Sequence, residues 1–85
     1  MTWHFYILYS HRSDRYYLGH TNDPAGRLRR HNSHHKGFTG RANDWNIVYT
    51  EQYATKREAY ARERQVKSWK SRKRIEELIK SGINP

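Results

Sequence analysis

The chain has 85 residues, enough for one compact domain but not for a second hydrophobic core. It contains no cysteine, so disulfide bonds and thiolate zinc sites are excluded, and stability must come from packing and helix capping. Seventeen Lys and Arg residues against eight Asp and Glu residues give a net charge of +9, which favours a polyanionic partner such as nucleic acid over a merely basic surface or one that binds an anionic membrane.

The first part of the chain predicts a β-hairpin followed by a short helix. Residues Trp3–Ser10 and Tyr16–Thr21 mix aromatic and β-branched side chains with partial alternation, and a polar segment separates them. Asp23 then offers a capping side chain, and Pro24 is favoured as a first helical residue. A short basic helix is therefore predicted over Pro24–Asn32.

The next part predicts a loop, a third strand and a second helix. Residues His34–Asp44 are rich in His and Gly, which is typical of a mobile basic loop. Residues Trp45–Tyr53 have the β-propensity of a third strand. Thr55 and Glu58 have the spacing of a capping box, so a helix is expected to start there and to end at about Lys70.

A last helix is predicted to begin after Ser71 and to stop at Gly82. Three apolar residues form its buried stripe, namely Ile75, Leu78 and Ile79. The order β-β-α-β-α-α predicts one α/β domain over residues 1–85, with a small, three-stranded, largely antiparallel sheet flanked by helices.

The N-terminal residues alternate between polar and apolar types. They form neither a basic leader nor a long apolar run, which argues against secretion and against a membrane span. We therefore expect a cytoplasmic protein without a membrane partner.

Glu63 is the one acidic residue without a structural role in this scheme. The other seven fit turns, caps or solvent-facing positions, including Glu51 on an exposed face of the third strand. Glu63 shares a helical stripe with Ala59 and Val66 that should face the sheet. Since a buried carboxylate needs a partner, it either forms an ion pair, for example with Lys67, or binds a metal. The lack of an acidic cluster disfavours a two-metal nuclease and makes a single metal the more economical scheme.

Four further residues have the chemistry of phosphoryl transfer. Arg27 and His31 are four residues apart on the first helix and share a face, although on spacing alone a solvated basic face is the favoured explanation. Tyr6 and Tyr17 lie in the paired strands, where a hydroxyl can orient or deprotonate water if neighbours lower its pKa. Their alternative role is in the core. The histidines lack the spacing of a zinc site.

These residues resemble the GIY-YIG nuclease domain, in its small stand-alone form, over nearly the whole chain. Five sequence elements occur in the order of that family and at suitable spacing. They are Phe5-Tyr6-Ile7-Leu8, Tyr17-Leu18-Gly19, Gly19-His20-Thr21, Arg27-Leu28 with His31, and Glu58-Ala59 followed by Glu63, Gln65, Val66, Lys67 and Trp69. No single tripeptide is specific, whereas the ordered set is.

The resemblance implies hydrolysis by a one-metal mechanism, so the leading hypothesis is a metal-dependent endonuclease whose substrate is expected to be DNA rather than RNA. Branched or damaged structures are candidate substrates, because an 85-residue domain offers little surface for reading a long sequence. Tyr6 would act as the general base or help to form it, and Tyr17 would position the water or the phosphate. Arg27 would neutralise charge on the phosphoryl oxygens. His31 would relay or donate a proton, and Glu63 would hold Mg²⁺ or Mn²⁺.

Seven basic residues near this site are predicted to bind nucleic acid, with an ordinary solvated charge as the alternative for each. They are His20, Arg29, Arg30, Lys36, Arg41, Lys67 and Lys70. Two other functions stay open: a non-catalytic nucleic-acid-binding module with the same fold, and a subunit whose nuclease site matures only with an unknown protein partner.

A site that contains both Tyr6 and Tyr17 constrains the length of the hairpin loop. A five-residue loop without a bulge would pair Tyr6 with His20 and point Tyr17 to the other face of the sheet. A site shared by both tyrosines therefore predicts an even-length loop or a bulge.

Overall fold

A computed structural model describes residues 1–33 and 42–82 of the chain. The elements are β1 (Trp3–Ser10), β2 (Arg15–Thr21), α1 (Pro24–Asn32), β3 (Asn46–Tyr53), α2 (Lys56–Ser68) and α3 (Arg72–Gly82). The predicted order β-β-α-β-α-α and the α/β class are confirmed. The loop predicted over His34–Asp44 lies outside the described residues, apart from residues 42–44.

The sheet has the strand order β2-β1-β3, and both pairs of neighbours are antiparallel. Four residues connect Ser10 at the end of β1 to its partner Arg15 at the start of β2, which confirms the predicted even-length loop. In this register Tyr6 pairs with Gly19, and Tyr17 therefore projects from the same face of the sheet as Tyr6. The hairpin thus brings both tyrosines to one side.

Each face of the sheet has its own hydrophobic cluster. The first contains Phe5, Ile7, Leu18 and Val66, with further apolar side chains from α2 and α3 packed against it. The second contains Tyr6, Leu8, Ala42 and Trp45, and Leu28 of α1 packs there. The sheet therefore lies between α1 and the pair α2 and α3. In the part of the chain that the structure describes, no helix has the length and apolar character needed to cross a membrane.

Two element starts differ in detail from the prediction, and one capping box differs in form. β2 begins at Arg15, one residue early, and β3 begins after Trp45. The Asn32 amide explains the second difference, because it accepts from the Trp45 N–H at 2.7 Å and donates to the Trp45 carbonyl at 3.0 Å. At the start of α2, Thr55 accepts from the Glu58 N–H at 3.2 Å, whereas the Glu58 carboxylate accepts from the Thr55 hydroxyl at 3.0 Å. The hydrogen bond from the Glu58 N–H to Thr55 is therefore the one expected of a capping box, whereas the Glu58 carboxylate contacts the Thr55 hydroxyl in place of the backbone N–H.

One helix end differs from the prediction, and another agrees with it. α2 ends at Ser68, before the predicted end at about Lys70, because Lys70 has a φ of 48°, in the left-handed region that interrupts an α-helix. The predicted stop at Gly82 is confirmed, since Gly82 is the last residue of α3. A Cβ atom on Gly82 would lie 2.2 Å from Cε1 of Tyr49, so this glycine permits close packing of the helix on β3.

Glu51 is not on an exposed face, contrary to expectation. Its side chain is 19% exposed and accepts hydrogen bonds from Tyr49, from Tyr53 at 2.5 Å, and from Arg62 Nε at 3.0 Å. Burial works against ionisation of Glu51, but the bonds from Arg62, Tyr49 and Tyr53 outweigh it and lower the pKa of the carboxyl. Burial and then the bond to Glu51 raise the pKa of Tyr49 and Tyr53 to about 12. This network connects β3 to α2.

We expect Glu51→Gln to lower the free energy of unfolding by about 1.5–3 kcal/mol at pH 7, the range for hydrogen bonds to a charged group. Because the folded-state pKa of Glu51 is depressed, its contribution is complete above the ordinary value of 4.5 and disappears as the pH falls through the folded value. Denaturant unfolding of both proteins between pH 7 and pH 3 measures this difference, which should shrink below pH 4.5. Glu77→Gln, at an exposed acid of α3, serves as control and should show no such trend; a pH-independent difference for Glu51→Gln would contradict the ionic role.

Candidate active site

Three of the predicted site residues form one cluster on the α1 face of the sheet. The hydroxyl of Tyr6 lies 3.2 Å from Nε2 of His31. The ring centroids of Tyr17 and His31 are 4.5 Å apart, and those of Tyr6 and Tyr17 are 6.4 Å apart. Two phenols and an imidazole therefore share one pocket of side chains, as the hairpin register requires.

The sequence of α1 explains how His31 reaches this cluster. The Asp23 side chain caps the helix and Pro24 occupies its first turn, so the helix starts at a fixed place beside the end of β2. His31 lies in the last turn and is 8% exposed, whereas Arg27, one turn earlier, is exposed to solvent. A fully solvated basic face therefore describes Arg27 but not His31.

Gly19 is needed by the close approach of Tyr6. A Cβ atom built on Gly19 would lie 2.6 Å from the Tyr6 hydroxyl oxygen and 2.7 Å from Cζ. Any side chain at position 19 would therefore displace the ring. The two positions that pair across β1 and β2 thus form a single packing unit.

The electrostatics of Tyr6 connect it to the remaining site residues. Burial is the main cause that raises the pKa of Tyr6, and the neighbouring Tyr17 raises it further. The positive charge of Arg27 lowers this pKa, and the negative charge of Glu63 raises it. The charges of Arg27 and Glu63 therefore both act on the Tyr6 phenol. The net direction is upward, so Tyr6 is a protonated phenol at neutral pH, and its hydroxyl lies within hydrogen-bonding distance of Nε2 of His31.

Glu63 lies on the buried stripe of α2, as predicted. Ala59 and Val66 are fully buried and Glu63 is 8% exposed. One carboxylate oxygen is 2.6 Å from Nζ of Lys67, and the other is 2.7 Å from Nδ1 of His20. The ion pair with Lys67 is therefore present, and His20 is a partner that the sequence did not predict. The Lys67 side chain is 54% exposed, whereas that of Glu63 is 10% exposed.

The sequence model of the GIY-YIG catalytic domain matches residues 2–76, which is most of the chain and includes every element up to the first part of α3. The chain belongs to the GIY-YIG family. This is a nuclease-type family, so the substrate class is nucleic acid. No curated protein and no solved structure gives a significant match to the chain.

The donor set of this GIY-YIG domain suits one hard cation. Within residues 1–33 and 42–82, no group of three or more His, Asp or Glu side chains has the arrangement of a metal cage. Mg²⁺ does not need such a cage, because it commonly binds one or two carboxylates together with water and substrate phosphate. Glu63 fits that pattern, provided that the exposed Lys67 ammonium moves away from the carboxylate.

The predicted nucleic-acid-binding residues have different surroundings. His20 and Lys67 both contact Glu63. Three others have exposed side chains, namely Arg29, Arg30 and Lys70. Lys36 and Arg41 lie outside the described residues.

A cleft of about 550 Å³ is lined by His20, which contacts the Glu63 oxygen that Lys67 does not contact. Its other lining residues are Lys56, Arg57 and Tyr60. This surface was not predicted from the sequence, although positions 56, 57 and 60 share one face of α2 by helical spacing. That shared face was the available signal.

Proposed function

We propose that this GIY-YIG chain is a metal-dependent endonuclease that hydrolyses phosphodiester bonds of DNA with one divalent cation. The observation that carries the proposal is the cluster of Tyr6, Tyr17 and His31, with the charges of Arg27 and Glu63 acting on the same phenol. Phosphoryl transfer requires a proton acceptor, a permanent cation and a carboxylate, and these residues supply all three.

Glu63 is the residue that would hold Mg²⁺ or Mn²⁺, with substrate oxygens and water as the other ligands. When bound there, the cation supplies Lewis-acid stabilisation of charge on the phosphate and on the leaving oxygen. His20 already holds one carboxylate oxygen and so fixes the orientation of the acid, as outer partners of metal ligands generally do.

Proton transfer is assigned to Tyr6 and His31 together. Since the pKa of Tyr6 is raised, chiefly by burial, the phenol does not act as a free phenolate. It instead passes its proton to Nε2 of His31 as it takes a proton from the attacking water. Tyr17 packs against the imidazole and positions the water or the phosphate, and Arg27 neutralises charge on the phosphoryl oxygens.

We further propose that the substrate is DNA with a branched or damaged structure, because a chain of 85 residues offers little surface for reading a long base sequence. The net charge of +9 supports strong attraction to the phosphate backbone. The chain would act as a single cytoplasmic domain.

The direct test is incubation of the purified protein with single-stranded, duplex, flapped and branched DNA and with matched RNA, each with Mg²⁺, Mn²⁺ or EDTA. We expect cleavage that requires the cation and is fastest on a non-duplex DNA. Complete absence of cleavage under every cation condition would contradict the proposal.

The second candidate is a nucleic-acid-binding module without nuclease activity. It is favoured by one observation, the pairing of both Glu63 oxygens with His20 and Lys67, which occupies the acid as a structural ion pair would. It predicts binding that weakens steeply with salt, because each neutralised phosphate releases counterions, and no cation-dependent cutting.

Gly19→Ala tests whether the position of the Tyr6 hydroxyl matters. The added methyl group would displace the ring, so we expect cleavage to fall about a hundredfold and the free energy of unfolding to fall by about 1–3 kcal/mol. Gly82→Ala is the matched control, because its Cβ atom would meet the Tyr49 ring instead. Thermal unfolding should show a comparable loss of stability in both variants, whereas the cleavage rate should fall only in Gly19→Ala. Equal cleavage rates for the two variants would contradict the need for this position of the Tyr6 hydroxyl.

A further inference from the structure

Aromatic rings line the cleft beside His20 and continue next to it, and the cluster of Tyr6, Tyr17 and His31 does not use them. The ring of Tyr60 is 5.1 Å from that of His20, which is 6.3 Å from that of Trp3, measured between centroids. Tyr60 is 44% exposed, and among the described residues it and Met1 are the large hydrophobic side chains with such exposure. An exposed aromatic ring in a cleft is a surface on which a planar base can stack.

Positive charge surrounds the same rings. Lys56 and Arg57 line the cleft, and Nζ of Lys56 is 5.6 Å from the Trp3 ring centroid. The guanidinium of Arg64 is 5.8 Å from the Tyr60 ring centroid. Among the described residues, neither Lys56 nor Arg57 forms an ion pair with an acid, so their charges are available to a phosphate. Aromatic rings interleaved with cations are the arrangement that single-stranded nucleic acid recognises.

The size and place of the cleft define what it can take. A volume of about 550 Å³ is within the usual range for a small-molecule site, so the cleft accommodates a nucleotide. A base inside a duplex is stacked and paired and cannot enter without being extruded. His20 lines the cleft and also holds Glu63 at 2.7 Å, so an occupant of the cleft lies next to the proposed metal-binding carboxylate.

We propose that this cleft is a binding site for one unpaired nucleotide that adjoins the bond to be cut, with the base stacked on Tyr60 and its phosphate held by Lys56 and Arg57. The proposal rests on the nuclease function and names its substrate class, a strand with an unpaired base beside the scissile phosphate. It gives a physical reason for selecting non-duplex structures, because only an unpaired base reaches Tyr60.

The test measures binding without cleavage. Anisotropy of labelled strands in EDTA compares a single-stranded DNA with a fully abasic strand of the same number of phosphates, and with a duplex. Wild type should prefer the base-bearing strand by about 5- to 150-fold, the range that stacking of one base provides. Tyr60→Ala should remove the preference and Tyr60→Trp should keep it. A matched RNA strand shows whether the sugar contributes.

The charge component has its own control. Lys56→Ala should weaken binding of base-bearing and abasic strands alike, whereas Lys80→Ala, at an exposed lysine of α3, should change neither. Equal affinity of wild type for the two strands, or a preference that survives Tyr60→Ala, would overturn the nucleotide site. These binding measurements are made without a divalent cation, so they are independent of cleavage. If the protein prefers the base-bearing strand but does not cut DNA, only the nuclease proposal is contradicted. If it cuts DNA without that preference, only the nucleotide site is contradicted.

Discussion

Glu63→Gln is expected to reduce cation-dependent cleavage by about a thousandfold. A divalent cation contributes several kcal/mol to stabilising the transition state of phosphoryl transfer, and each 1.4 kcal/mol corresponds to about tenfold in rate. Gln has nearly the same shape as Glu and can still contact His20, so the change removes the charge while largely retaining the packing of α2. Cleavage rates at several Mn²⁺ concentrations, together with Mn²⁺ binding followed by electron paramagnetic resonance, measure the effect.

Thermal unfolding separates this role from a structural one. The Lys67 partner is 54% exposed, so the loss of its ion pair should cost at most about 1 kcal/mol. Glu77→Gln removes the same charge from an exposed position of α3 and should leave cleavage unchanged. If Glu63→Gln retains wild-type cleavage and Mn²⁺ affinity, Glu63 is not the metal ligand.

Tyr6→Phe is expected to lower the cleavage rate by about 10²- to 10⁴-fold, the contribution of a positioned proton-transfer group. The substitution removes only the hydroxyl that lies 3.2 Å from Nε2 of His31, and the ring can remain over Gly19. Single-turnover cleavage with saturating protein isolates the chemical step from binding. Substrate affinity in EDTA should stay close to that of wild type.

The proposed proton relay between Tyr6 and His31 allows a stricter test. If the two groups act as one proton relay, Tyr6→Phe combined with His31→Ala should be hardly slower than either single variant. Tyr16→Phe is the matched control, because its hydroxyl donates to Glu76 at 3.1 Å, away from the cluster. Multiplicative losses in the double variant would show that Tyr6 and His31 act separately.

The fold follows from short-range signals, and so does much of the site. The bounds of β1 and α1 were predictable because their propensities and caps are local. The strand pattern alone suggested a five-residue hairpin loop, and the shared face of Tyr6 and Tyr17 followed only from the requirement that both belong to one site. Helical spacing predicted that Glu63 faces inward. The end of α2 was less predictable, since Lys70 adopts a left-handed φ that nothing in its residue type favours.

Long-range partners were not predictable from spacing. His20 and Glu63 are 43 positions apart, and their contact depends on how α2 packs against β2. Glu51 was assigned to solvent because strand alternation does not reveal that Arg62 of α2 reaches it from 11 positions away. Tyr60 became visible as part of a cleft only when the ring of His20 was placed beside it.

The contact between Tyr6 and Gly19 joins two sequence motifs that are separated along the chain, one in β1 and one in β2. A Cβ atom at position 19 and a large ring at position 6 cannot occupy the same space, so the two sites constrain each other during evolution. Drift at position 19 toward alanine or serine is tolerable only in a lineage that has already lost the aromatic ring at position 6. Among related chains, we therefore expect covariation of positions 6 and 19 to distinguish those that keep the Tyr6 hydroxyl from those that have lost it.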